Sequence, residues 1–346
     1  MKKWNHIGVF LIWTFLTGMC LGYLFLPKRD FSPREKRYLT TVPFAWSTDK
    51  AEDFLADQMP LRDFFVGLNA YAEKWMGLQK TTSVWVEDGR LVRRPVDAGV
   101  DTAKNIRAVN QLAEKLPIPV TLALVPSAGW AGGDPDFPDG ELIEKVYAQA
   151  QMQTLDLRPL FQGRPELYYR TDHHWTSAGA AEAYLALTQQ LGVTPEKSYT
   201  KECYSGFLGA NVAASGLWLT EPETLEMYHG QARIIVTGED EPPHDGPFYE
   251  ERLEGYDPYM VFLDGNRPLV RLHNPEGQGK ILLIRDSFAS CLAPFLAENY
   301  REVVLMDRRY YKKSAEELVR QEDFDQVLVL YSLENFLTDS SLVLLR

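Results

Sequence analysis

Lys280-Ile281-Leu282-Leu283-Ile284-Arg285-Asp286-Ser287-Phe288 is an unbroken apolar run that ends in a cation, an acid and a hydroxyl. An apolar run of this length without alternation is the pattern of a strand covered on both faces, as in a parallel sheet. Residues 287–297 then carry helical patterning, which puts Ser287 at the turn from strand to helix. Working outward, similar apolar runs stand at 119–125, 303–306 and 327–331, with a second helical candidate at 314–321. Upstream, Ile106, Val109, Leu112, Ala113 and Leu116 share one helical face. The C-terminal third therefore alternates strand, helix, strand, helix, strand, and predicts an α/β fold built on a doubly wound parallel sheet with helices on both faces.

The remainder of the 346 residues sets the surroundings of that sheet. A formal charge of −12 with no clustered Lys and Arg argues against nucleic acid as a partner. The uncharged run at 7–26, IGVFLIWTFLTGMCLGYLFL, matches the length of a bilayer core and predicts a transmembrane anchor. It is long for a signal peptide and no A-x-A-like site follows it. Met19 before Cys20 disfavours lipoprotein processing. Positive charges flank the run on both sides, Lys2 and Lys3 before it and Lys28, Arg29, Arg34, Lys36 and Arg37 after it. Short N-terminal tails commonly stay inside and long domains translocate regardless of such charges, so the expected location is the cell membrane, single-pass, with the catalytic domain extracytoplasmic. The expected organisation is a tail at 1–6, the anchor at 7–26, a juxtamembrane stalk and helix at 27–80, and the α/β domain at 81–346 with an irregular insertion at 200–278. In the stalk, Phe64, Phe65, Leu68, Tyr71, Ala72 and Trp75 fall at helical spacing and are read as packing. Asp88-Gly89 predicts a two-residue hairpin turn, and Tyr256 to Leu272 reads as strands around Asp264-Gly265-Asn266. Of three cysteines only Cys203 and Cys291 lie beyond the anchor, which is no disulfide framework.

The chemistry concentrates in Thr171-Asp172-His173-His174-Trp175-Thr176 together with Ser287. A carboxylate two residues before an imidazole can hold it in one tautomer, so His174 is the expected base, Asp172 its orienting partner on Nδ1, and His173 a supporting neighbour. Ser287 is the expected nucleophile, with the helix N-terminal amides as part of an oxyanion hole. Two plainer readings stand beside this. Ser287 and Asp286 could only cap a helix, and Asp172 with paired histidines could hold a metal, although no H-E-x-x-H or C-x-x-C spacing is present. Ser127, with no acidic neighbour in its turn, is read as structural. Thr176 or Ser177 is expected to cap a helix over 177–191 that ends at Gly192.

These residues resemble the DHHW family of SGNH-type proteins, related to the alginate O-acetyltransferase-like (AlgJ/AlgX-type) proteins of bacterial envelopes. The likeness is carried by Asp172-His173-His174-Trp175 and Arg285-Asp286-Ser287-Phe288-Ala289. Further blocks are Phe31-Ser32-Pro33-Arg34-Glu35-Lys36-Arg37-Tyr38-Leu39, Asp57-Gln58-Met59-Pro60-Leu61-Arg62-Asp63, Pro294-Phe295-Leu296 and Asp307-Arg308-Arg309-Tyr310-Tyr311. The resemblance implies an SGNH-like sheet preceded by the anchor and a Ser-His-Asp triad of Ser287, His174 and Asp172. It implies transfer of acetyl through an acyl-serine to a polysaccharide acceptor, or to water, with no cofactor and no metal. The implied partner is a membrane-bound O-acyltransferase that supplies acetyl groups. Arg285 stands where the wider pattern has glycine, and Gly265-Asn266 is the candidate counterpart of an oxyanion-hole Gly and Asn. His173, Trp175, Arg285, Asp286 and Asn266 are thus the expected supporting or oxyanion residues. A second reading is a noncatalytic, glycan-binding scaffold of an envelope acetylation complex, and the separation of Ser287 Oγ from His174 distinguishes the two.

Overall fold

In the computed structural model, which describes residues 2–41, 48–78, 80, 83–96, 102–239 and 241–345, the N-terminal run forms one helix, α1 (Lys2–Phe25). Its segment His6–Phe25 is long and apolar enough to cross a membrane, since a helix of that length extends for about 30 Å. The helices α2 (Thr48–Asp57) and α3 (Arg62–Trp75) follow, separated by a turn in which Leu61 takes a left-handed φ of 58°. α3 carries the predicted aromatic stripe but buries none of it: Phe64 is 61% and Trp75 90% exposed. Periodicity fixes that these side chains share a face; it does not supply the surface that covers it. Two of the resemblance blocks instead hold each other. Arg37 pairs with Asp57 at 2.5 Å and Arg62 with Glu35 at 2.9 Å, and Gln58 Nε2 donates to the Thr40 carbonyl, just beyond the first block, at 2.9 Å. These elements belong to one compact unit, Met1–Thr81 with Val212–Thr220; the other comprises Thr82–Asn211 and Glu221–Arg346.

The second unit is organised by an eight-stranded sheet of β1 (Val120–Val125), β2 (Gln153–Asp156), β3 (Ile235–Gly238), β4 (His244–Asp245), β5 (Leu269–His273), β6 (Lys280–Arg285), β7 (Glu302–Met306) and β8 (Gln326–Ser332). The spatial order is β4-β3-β5-β7-β6-β8-β1-β2. The pairs β7/β6, β6/β8, β8/β1 and β1/β2 are parallel, so the centre is as the apolar runs predict. β5, β3 and β4 extend it antiparallel. All three come from the segment expected to be irregular; β3 and β4 escaped notice as short runs broken by polar side chains, whereas β5 overlaps the end of the Tyr256 to Leu272 stretch read as strands. Within the same segment Thr200–Phe207 pairs with Glu223–His229 as a separate two-stranded sheet. Of the strands expected around Asp264-Gly265-Asn266, the one after the turn forms, as β5, and the one before it does not. Pro258–Val261 is a 3-10 turn, and Leu263, Asp264 and Gly265 take successive left-handed φ values of 59°, 57° and 77°, a tight bend rather than a two-residue hairpin.

Alternation along β6 explains why helices cover both faces. Ile281 and Leu283 point into one cluster with Ala183, Tyr184 and Leu187 of α6 (Ser177–Leu191), and the whole of α7 (Phe288–Ala297) is buried on that side. Leu282 and Ile284 point into the opposite cluster, with Ile106, Val109 and Leu112 of α4 (Thr102–Lys115), residues of α5 (Asp139–Tyr147), and Leu318 and Val319 of α8 (Ala315–Gln321). Each of these fully buried β6 side chains stabilises the fold by about 1.5–3 kcal/mol, which pins the strand that leads to Ser287. α6 starts and ends where the sequence signals lie, with Thr176 Oγ1 accepting from the Gly179 amide and Gly192 at a φ of 71°. The last helix, α9 (Leu333–Thr338), follows β8 directly. Cys203 is exposed and Cys291 buried, and neither is bridged.

Candidate active site

β6 delivers Ser287 to the carboxyl edge of the sheet, and the turn there is held by Asp286 rather than by the serine. Asp286 is fully buried. Its Oδ1 accepts the Phe288 amide at 3.0 Å, capping α7, while Oδ2 accepts the Ser332 amide at 2.8 Å, the Ser332 hydroxyl at 2.7 Å and Asn335 Nδ2 at 2.8 Å. The start of α7 is thereby tied to the end of β8 and the start of α9. Ser287, in a helical conformation with φ −66° and ψ −19°, makes no capping bond. The plain helix-cap reading therefore applies to Asp286, and the Ser287 hydroxyl is left for other work.

That hydroxyl lies 2.7 Å from His174 Nε2. His174 Nδ1 is in turn 2.5 Å from Asp172 Oδ1, which also accepts the His174 amide at 2.9 Å; Asp172 Oδ2 accepts the Ala210 amide at 2.6 Å. Burial pushes the Asp172 carboxyl up, but the charges of His173 and His174 and the bonds from His174 and Ala210 outweigh it and hold the group well below the usual carboxylate range. His173 Nδ1 stands 3.3 Å from the same Asp172 oxygen, so the adjacent imidazole also faces the acid. Ser287 remains 9% exposed, Asp172 and His174 less.

The loop that presents these groups is short because both its ends are fastened. Tyr169 N–H donates to the His174 carbonyl at 3.1 Å, and Thr176 N–H to the Leu167 carbonyl at 2.7 Å. The hairpin Val84–Glu87 and Arg90–Arg93, turning at Asp88-Gly89 with both φ values positive, braces it through Leu91 N–H to the Arg170 carbonyl and Arg90 Nη1 to the Tyr168 carbonyl. Glu223 accepts the Arg170 and Thr171 amides and the Thr171 hydroxyl. Trp175 is wholly buried and its Nε1 donates to the Phe288 carbonyl at 3.1 Å, linking the loop to the residue after Ser287. The His174 ring itself is clamped between Tyr259, stacked at 3.9 Å and 8°, and Phe288 at 4.9 Å.

Residues 140–206 match the family described as SGNH hydrolase-like domain, acetyltransferase AlgX, a stretch that includes Asp172 to Trp175 and ends before Ser287. A DHHW family protein from Eubacterium siraeum superposes with a TM-score of 0.67 at 20% identity, covering 75% of this chain and 93% of its own. Bacillus cereus PatB1 bearing a sulfonyl adduct superposes with a TM-score of 0.61 at 18% identity, covering 76% of this chain and 98% of its own. The chain has the SGNH hydrolase-like fold. Among curated proteins, none matches it. The comparisons agree with the resemblance carried by Asp172-His173-His174-Trp175.

Arg285, the residue in place of glycine in this SGNH-like fold, is accommodated because it ends a regular strand and no left-handed backbone is needed there. Its buried guanidinium donates through Nη1 to Asn266 Oδ1 at 3.0 Å and to Ser290 Oγ at 3.3 Å, and lies 3.7 Å from Asp307, which Arg309 also grips at 2.7 Å. Burial pulls the Arg285 pKa down against the opposing charge of Asp307. Asn266 is exposed, and its carbonyl oxygen is taken by Arg285. Arg285 and Asn266 thus pair with each other, and the donor nearest in the chain to the nucleophile is the Ser287 amide itself.

Asp172, His173 and His174 could in principle share a metal, since their ligand atoms lie within 4.8 Å of one another. Both ring nitrogens of His174 are already engaged, one by Asp172 and one by Ser287, so ligation there would dismantle the serine–histidine contact. Ser127, as expected, is structural: its Oγ accepts from the Trp130 amide at 3.3 Å. Sequence reasoning missed Tyr259, Ala210, Glu223, Ser332 and Asn335. None carries a local signal, because each acts across a long sequence separation through backbone groups, a ring face or side-chain oxygens and nitrogens.

Proposed function

We propose that the chain is a membrane-anchored, extracytoplasmic, serine-dependent O-acetyltransferase or acetylesterase that acts on an envelope polysaccharide. The single observation that carries this reading is the unbroken relay of Ser287 Oγ, His174 and Asp172 at 2.7 and 2.5 Å. In the proposed reaction His174 Nε2 takes the Ser287 proton as Oγ bonds to the carbonyl carbon of an acyl donor. The tetrahedral oxyanion is met by the Ser287 amide at the start of α7. Collapse breaks the donor's ester C–O bond, and the leaving oxygen takes the proton from His174, which yields acyl-Ser287. A sugar hydroxyl, or water, then gives its proton to His174 while attacking the acyl carbon, and Ser287 departs and is reprotonated. Asp172, ionised and bonded to Nδ1, holds the tautomer and offsets the imidazolium charge at each stage.

Acetyl is the group that the matched family description names, and α1 provides a segment long enough to anchor the domain. The donor would come from a membrane-bound O-acyltransferase. A noncatalytic scaffold would use Ser287 as a cap, a role that Asp286 fills. The test is release from an activated acetyl ester by the full chain in lipid discs, compared with Ser287→Ala and His174→Ala. Activity should vanish in the first and fall by orders of magnitude in the second; equal release by all three sinks the enzymatic reading.

A further inference from the structure

The steps above use the two nitrogens of His174 and leave its ring face unassigned, yet an aromatic side chain lies flat against that face. Tyr259 is buried in the 3-10 turn Pro258–Val261, between β4 and β5. Backbone bonds fasten the turn to the segment before it: Tyr249 N–H donates to the Val261 carbonyl at 2.8 Å, and Leu263 N–H to the Pro247 carbonyl at 3.1 Å. The ring centroids of Tyr259 and His174 are 3.9 Å apart, with the planes at 8°. Neutral aromatic pairs favour edge-to-face or offset packing, with centroids about 4.5–7 Å apart. Two other rings against Tyr259 follow that preference, Phe262 at 5.1 Å and 61° and Tyr169 at 6.5 Å and 86°. The close face-to-face approach to His174 departs from it, and it is an arrangement in which a cationic ring is attracted by the electron-rich face of its neighbour. A comparable stack, His244 on Tyr249 at 3.8 Å, stands at β4, so stacking alone assigns no role. His174 differs in that it takes up a proton in the proposed reaction.

Four titratable or reactive groups are set against this imidazole. Asp172 and Ser287 meet its nitrogens, His173 lies beside it with the rings tilted by 38°, and Tyr259 covers its face. Burial pushes the Tyr259 phenol well above its ordinary range, so the covering ring is neutral. Its hydroxyl is buried without a hydrogen-bond partner among the described residues. What Tyr259 offers the imidazole is therefore its face and not its oxygen.

We propose that Tyr259 is a positioning residue for acyl transfer: its ring face holds the His174 imidazole in line between Asp172 and Ser287 and stabilises the imidazolium that forms when His174 takes the Ser287 proton. This rests on the Ser287–His174 reading and adds to it the group that favours the protonated base. The test is the pH profile of kcat/KM for the full chain in lipid discs on p-nitrophenyl acetate. Tyr259 is replaced by phenylalanine, and then by phenylalanine bearing one, two or three ring fluorines, which drain charge from the face and change the ring's size little. Tyr259→Phe should keep the wild-type profile. An imidazolium that is less stabilised loses its proton at lower pH and forms more slowly, so each fluorine should move the acid limb to lower pH and lower the plateau. Tyr259→Leu should move the limb down by about half to one and a half pH units and the plateau by about three- to thirtyfold. Where the leucine variant fails to fold, the fluorine series decides. A limb that stays in place through that series, with all cleavage lost in Ser287→Ala, overturns the role of Tyr259 and leaves the serine chemistry standing. A Tyr259→Phe profile unlike the wild type would move the role to the hydroxyl and overturn the assignment to the face. Cleavage that survives Ser287→Ala overturns both readings.

Discussion

Asp172 keeps its charge although buried because two imidazoles, the His174 amide and the Ala210 amide surround it. Its value to the site lies in orientation, so Asp172→Asn should fold yet lose about three to four orders of magnitude in kcat by presenting the wrong tautomer. A stability consequence follows from the depressed pKa. The carboxylate's contribution is fully present above its unfolded value of about 3.9, and is lost only as pH falls through the lower folded value. Urea unfolding of wild type and Asp172→Asn should therefore differ by a constant amount from neutrality down to roughly pH 5, and the gap should close below about pH 4. A gap that narrows near neutrality would contradict the assignment.

At the scale of the element, the turn from β6 to α7 is the critical piece, and Asp286 holds it by four bonds to three residues. Asp286→Ala leaves the Phe288 and Ser332 amides, the Ser332 hydroxyl and Asn335 Nδ2 short of an acceptor in the interior. The expected loss is about 3 kcal/mol or more in chemical denaturation, together with loss of serine reactivity. A variant as stable and as reactive as wild type would show that the turn stands without this anchor. Much of this element was legible beforehand: the apolar run gave β6, its exit gave Ser287, and the acid two residues before His174 gave the relay. What lay beyond reading was what holds it. Ser332 and Asn335 reach Asp286 from 46 and 49 residues away, and Tyr259 presents only a ring face. The α3 stripe shows the converse error, since Phe64 and Trp75 have the spacing of a core face and remain exposed.

The whole molecule joins an apolar helix to an acidic α/β domain, and the chain order of the parts explains the antiparallel surprise. Three strands from the segment between α6 and β6 extend the parallel centre, and the same segment sends Tyr259 over His174. If α1 spans the bilayer as proposed, the full chain should remain in the membrane pellet after alkaline carbonate washing. Release to the supernatant would remove the anchor from the account. The chemistry has a more direct test in the intermediate itself. The full chain should be mixed with an activated acetyl ester, quenched in acid during turnover, digested and mapped by mass spectrometry. Acetyl should be found on Ser287 in the wild type, be absent in Ser287→Ala, and accumulate far more slowly in His174→Ala; acetyl on another residue, or equal acetylation of Ser287 without His174, would contradict the account.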